Sequence, residues 1–155
     1  MTFPFRIINW ILMIAIAIVE ILALTFLILL LPSHCIKGQE YGISVYIYAD
    51  VLPGITVQSV VFAILRFICR TVGLDPIAVV YNLVSGCLCI CTAIPMIVTA
   101  AEHCHNEYEY MFFTSPLLGV VAGLLHIIVA VICLKYMPLK EARYLNPKSC
   151  RKEKT

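Results

Sequence analysis

Charge is scarce in this sequence: Asp, Glu, Lys and Arg make up 13% of its residues, against 62% hydrophobic ones. A water-soluble domain carries charge at about twice that frequency, so a solvated globular surface is excluded. Its eight cysteines include no Cys-x-x-Cys pair, which removes the spacing that places one thiol at a helix start with the other in reach. No Ser/His/Asp set, carboxylate pair or glycine-rich phosphate loop stands out, and the chain has no internal repeat, low-complexity segment or Asn-x-Ser/Thr acceptor. These absences disfavour catalysis by the common routes.

What is present is apolar length. Four runs, roughly Ile8 to Leu31, Val51 to Val72, Ile77 to Ala101 and Pro116 to Leu134, each approach or exceed the about 20 residues needed to cross a hydrocarbon core about 30 Å thick. The mean hydropathy of +0.98 agrees. The first run is longer than the about 7 to 15 residues of a signal-peptide core and ends without a small-residue cleavage site, so it reads as an uncleaved signal anchor. The expected fold class is an all-α membrane protein, a left-handed four-helix transmembrane bundle. Residues 1–136 form the four-pass domain and 137–155 a basic tail.

Orientation follows from where the basic residues stand beside the runs. Arg6 precedes the first, Arg70 lies at the turn between the second and third, and the tail carries Lys135, Lys140, Arg143, Lys148, Arg151, Lys152 and Lys154. The opposite loops contain Lys37 alone among Lys and Arg, beside Glu40, Asp50, Glu102, Glu107 and Glu109. Both termini are therefore expected in the cytoplasm. The net charge of +2 then divides into a basic inner face and an acidic outer one, and nucleic-acid binding is not implied. A basic tail gains about 1 kcal/mol per Lys or Arg beside an anionic leaflet.

The connections are unequal. Pro32 to Asp50 is expected to be an outer loop, and its strand-forming stretch Tyr41 to Tyr48 suggests a short hairpin. Gly73-Leu74-Asp75-Pro76 makes a tight inner turn, with Asp75 as the helix cap. Glu102 to Ser115 is the second outer loop, where Tyr108, Tyr110, Phe112 and Phe113 are expected to anchor at headgroup level.

The cysteines sort by location. Cys35 and Cys104 fall in the two outer loops and are the candidate disulfide. His34-Cys35 and His103-Cys104-His105, with Glu102 and Glu107, offer an alternative Zn or Cu donor set that excludes the disulfide. Histidines in short polar loops are usually solvated, so no metal or cofactor is assigned. Cys87-x-Cys89-x-Cys91 turns around its helix rather than along one face. Cys69, Cys133 and Cys150, near the cytoplasmic boundary, are candidates for reversible palmitoylation.

Within the membrane each run contributes one polar residue to a similar depth: Glu20, Arg66, Asn82 and His126. Intramembrane ionisable groups are costly and turn inward to find partners, so Glu20 is expected to meet Arg66 or His126. Two readings stay open, a proton, ion or headgroup site and interhelical glue that sets register, with Arg66 also able to snorkel to the inner headgroups. Glue is preferred, because the set lacks the several carboxylates of a transporter. Gly119-x-x-x-Gly123 is a helix-packing face for the bundle interior or for a second copy.

With the runs placed, the chain resembles the MARVEL-domain tetraspan membrane proteins, the group of the myelin-and-lymphocyte proteins, physins and occludin. The likeness rests on Glu20 in the aliphatic span Ile18 to Leu31, on Asp75 with Tyr81 following, and on the segment Leu125-His126 to Lys135, and covers about residues 5 to 136. It implies a non-enzymatic role in membrane apposition, vesicle trafficking, cell junctions or membrane fusion, at the plasma membrane or in secretory or endocytic vesicles. Small fusion-related insect members are within the resemblance. Implied partners are the lipid bilayer, cholesterol-rich in places, and copies of the chain or other membrane proteins. Glu20, Asp75 and His126 would act as packing determinants. The only Trp is Trp10, and the Gly-Leu-Trp and paired cysteines of claudin loops are missing. The competing readings are an accessory subunit of a larger membrane complex and, behind it, a small membrane enzyme of quinone/thiol redox or glutathione-transferase type.

Overall fold

The computed structural model describes residues 5–30, 42–68, 74–103 and 109–137. They form four helices: α1 (Phe5–Leu30), α2 (Gly42–Ile68), α3 (Leu74–His103) and α4 (Glu109–Tyr136). All four are long and apolar enough to cross a membrane. In hydrocarbon a backbone has no water to bond, so a continuous apolar span satisfies its N–H and C=O groups within itself as a helix.

Three boundaries differ from the sequence expectation. The stretch Tyr41 to Tyr48 makes no hairpin: α2 begins at Gly42 and takes in Asp50, which the sequence reading places in a loop. Val45 and Tyr48 are drawn into the core, and their burial overrides the strand preference of isolated aromatic and β-branched residues. α4 begins at Glu109, ahead of Pro116, so Tyr110 and Phe112 belong to a helix rather than to a loop. Phe112 is a core residue rather than an interfacial anchor, whereas Tyr110 is 85% exposed. Asp75 lies inside the first turn of α3 rather than capping it.

The helices close a ring in chain order, with α4 packed back against α1. Adjacent helices run antiparallel, as the pairs between α2 and α3 show: Ser44 with Thr99, Ser59 with Tyr81 and Arg66 with Asp75. Phe5 and Tyr136 consequently lie at the same end of the bundle as Ile68 and Leu74. The core is divided in two. Ala23, Leu27, Val45, Tyr48, Leu52, Ala93, Met96, Ala100 and Phe112 fill the half toward the α3–α4 connection. Met13, Ile16, Ala63, Val79, Val129 and Cys133 fill the half near the chain ends. Outside, large aliphatic side chains such as Ile18, Ile64, Leu117 and Val131 are exposed, the inverse of a soluble protein and the surface that lipid tails require.

α3 and α4 approach most closely where glycines meet. A Cβ on Gly86 would stand 2.9 Å from the Gly123 carbonyl oxygen, and one on Gly123 would stand 2.7 Å from Ile90 Cγ1. Gly119 faces α2 instead, where a Cβ would stand 2.7 Å from the Tyr48 hydroxyl. Both glycines of the Gly119-x-x-x-Gly123 face are therefore occupied inside the bundle.

Candidate functional site

Between the two apolar halves lies a polar layer. Glu20 from α1, Asn82 from α3 and His126 from α4 are each 0% exposed. Asn82 Nδ2 donates to the Ala78 carbonyl one turn back, at 2.7 Å. This turns its Oδ1 toward His126 Nδ1, also at 2.7 Å. An amide oxygen accepts only, so Nδ1 carries a proton. His126 Nε2 lies 2.8 Å from Glu20 Oε1, and two bare lone pairs at that distance would repel. A second proton therefore sits between them, as imidazolium with carboxylate or as imidazole with carboxylic acid. Either arrangement is neutral overall, which lets two ionisable groups occupy a site without water. Glu20 Oε2 is buried with no hydrogen-bond partner among the described residues.

Tyr81 walls this layer on the α2 side. Its ring meets His126 edge-on, with centroids 5.8 Å apart, and stacks on Phe62 at 4.6 Å. Its hydroxyl lies 2.8 Å from Ser59 Oγ and donates to the Ile55 carbonyl at 3.3 Å.

Arg66 does not join the layer, contrary to the sequence expectation. It pairs with Asp75 Oδ1 at 2.5 Å across the α2–α3 interface, with both side chains nearly sealed from solvent. Asp75 and Asn82 are two helical turns apart on α3, about 10 Å along the axis, which takes Arg66 out of reach of Glu20. Nor does Arg66 snorkel. The amide end of Asn9 is held between the guanidinium, with one Nη at 3.1 Å from its oxygen, and Cys133 Sγ, at 2.9 Å. The orientation that suits these neighbours has the Asn9 oxygen accepting from Arg66. A second neutral cluster of Asn9, Arg66, Asp75 and Cys133 thus ties α1, α2, α3 and α4 together near the chain ends.

A third set of bonds joins the far half. Tyr48 OH donates to the Ser115 carbonyl at 2.9 Å, and Ser115 Oγ donates to the Ala23 carbonyl at 2.8 Å. Asn9, Tyr48, Gly86 and Ser115 escape sequence reading because their types are common in membrane helices and only their facing partners single them out, and Tyr81 enters it only through the resemblance, without its contact to His126. The Asp75 partnership was hidden for the same reason.

Cys133, a palmitoylation candidate, is fully buried in the core, which keeps its thiol from an acyl donor. Cys89 is buried while Cys87 and Cys91 are exposed, so the three do not share a face. No group of three potential metal ligands occurs among the described residues. The candidate disulfide Cys35–Cys104, the loop donors His34, His105 and Glu107, Tyr108, and the cysteines at 69 and 150 lie outside the described residues.

The chain is thus of the class of multi-pass, all-helical membrane proteins. No family model matches it, and no curated protein or solved structure does so either.

Proposed function

We propose that this chain is a non-enzymatic organiser of membranes, acting in apposition, vesicle trafficking, cell junctions or fusion, as the MARVEL resemblance implies. Both termini would face the cytoplasm. One observation carries the reading: the ionisable groups of the interior bind one another across helix interfaces, Glu20 to His126 and Arg66 to Asp75. Groups so engaged act as glue that sets helix register, and this use of them favours a structural role over proton or ion transfer. The lipid-facing exterior of large aliphatic side chains supports a protein that works through the bilayer and its neighbours in it.

The test is reconstitution of the full-length, fluorescently tagged chain into giant vesicles of phosphatidylcholine and cholesterol. Enrichment at vesicle–vesicle contacts is expected. An even distribution over free and contacting membrane would overturn the reading. Retention at the site of synthesis until a second chain is supplied would favour the accessory-subunit reading.

A further inference from the structure

Most polar side chains on the outer helix surfaces satisfy themselves. Thr25, Thr92, Thr99 and Thr114 each return a hydroxyl hydrogen bond to the carbonyl four residues earlier, the usual way a hydroxyl is hidden in a membrane helix. Asp50 and Gln58 do not. Both are exposed on α2, and neither makes a hydrogen bond or ion pair with any described residue.

Their depth makes this costly. α2 runs Gly42–Ile68, so Asp50 lies about 7.5 Å to one side of its midpoint and Gln58 about 4.5 Å to the other. Both are well inside the about 15 Å half-thickness of a hydrocarbon core. An ionisable side chain at that depth normally faces a partner or water. Asp50, Gly54 and Gln58 follow at intervals of four, on one stripe of the helix. At Gly54 a Cβ would meet nothing within 4 Å. The stripe forms one wall of a groove of ≈ 470 Å³ between α2 and α3, opposite Tyr81, Ser85 and Leu88.

We propose that this groove docks one transmembrane helix of another protein, carrying a lysine or arginine at the depth of Asp50. The basic group pairs with the Asp50 carboxylate, Gln58 bonds a polar group a further two turns along, and Gly54 admits close backbone approach. Charge decides against a second copy as the occupant. A symmetric contact through this stripe would set Asp50 against Asp50. The basic side chains of the bundle interior among the described residues are also taken already, Arg66 by Asp75 and His126 by Glu20 whichever of the two holds the shared proton. The inference concerns a lateral partner and stands apart from the proposed role in membrane organisation.

The probe is a leucine-rich transmembrane peptide with a single lysine at the Asp50 depth and a photoreactive leucine one turn away. It is co-reconstituted with the full-length chain in phosphatidylcholine vesicles. Cross-linking to the chain should exceed that of the all-leucine peptide by about tenfold, the scale of one good interhelical polar contact. Asp50→Leu should abolish the difference, and Gly54→Leu should block both peptides. Asp50 is exposed and a Cβ at position 54 would meet nothing within 4 Å, so helicity by circular dichroism should be unchanged in both variants. Equal cross-linking of the lysine and leucine peptides would overturn the proposal. So would an excess for the lysine peptide that survives Asp50→Leu.

Discussion

Glu20, His126 and Asn82 act as one hydrogen-bonded unit, so the energetic weight of each depends on the others. Removing one member strands a partner in a site without water, which costs about 3 kcal/mol for a buried ionisable pair. Glu20→Leu and His126→Leu should each destabilise the bundle on that scale. The double variant should lose less than their sum, with a coupling of about 1–3 kcal/mol. Unfolding in mixed micelles by denaturing-detergent titration measures this cycle, and simple additivity would show that the contact holds nothing. Arg66→Lys tests the second cluster. A lysine keeps the charge opposite Asp75 but loses the fork that also reaches Asn9, so a loss of about 1 kcal/mol is expected in the same titration.

Between elements, the three glycines with opposite surroundings give the sharpest contrast. Gly86 and Gly123 stand where a Cβ would press on the backbone of the facing helix, at 2.9 Å and 3.0 Å from a carbonyl oxygen. Backbone does not yield as a flexible side chain does. Gly86→Ala and Gly123→Ala should each push α3 from α4 and cost about 1–3 kcal/mol. At Gly54 the space is open, and Gly54→Ala should be neutral or stabilising by up to about 1 kcal/mol through helix propensity. Thermal unfolding in detergent should rank the three accordingly. A Gly54→Ala chain as damaged as Gly86→Ala would show that α2 packs against something in the isolated protein.

For the molecule as a whole, antiparallel helices in a closed ring put Phe5 and Tyr136 at one end, and the proposal that this end faces the cytoplasm rests on the basic residues beside it in the sequence. Epitope tags placed before residue 1 and after residue 155 should both be stained in permeabilised cells and both be hidden in intact ones. A tag of one end visible without permeabilisation would contradict the ring. Its two apolar halves, joined through a neutral polar layer, form a fold in which no described interior charge is left without an opposite one.

Hydropathy sufficed to find four spans, because the bilayer imposes one length scale and one backbone solution on any chain that crosses it. The sequence alone also brought Glu20, Asn82 and His126 to a common depth, since rise per residue is nearly constant. It misplaced Arg66 in that layer, because depth counted from a run's end misses which face a side chain takes, and facing is settled by the neighbouring helix. It set Tyr48 and Asp50 in a loop, because strand-forming residues ahead of a proline look like an ending until the core that holds Tyr48 is assembled. Only tertiary packing spent Gly119 on Tyr48 and Gly123 on α3, paired Arg66 with Asp75, and left Asp50 exposed at the α2–α3 groove with no polar partner among the described residues. Periodicity and length belong to one helix at a time, whereas the pairing of polar groups belongs to the interface between two.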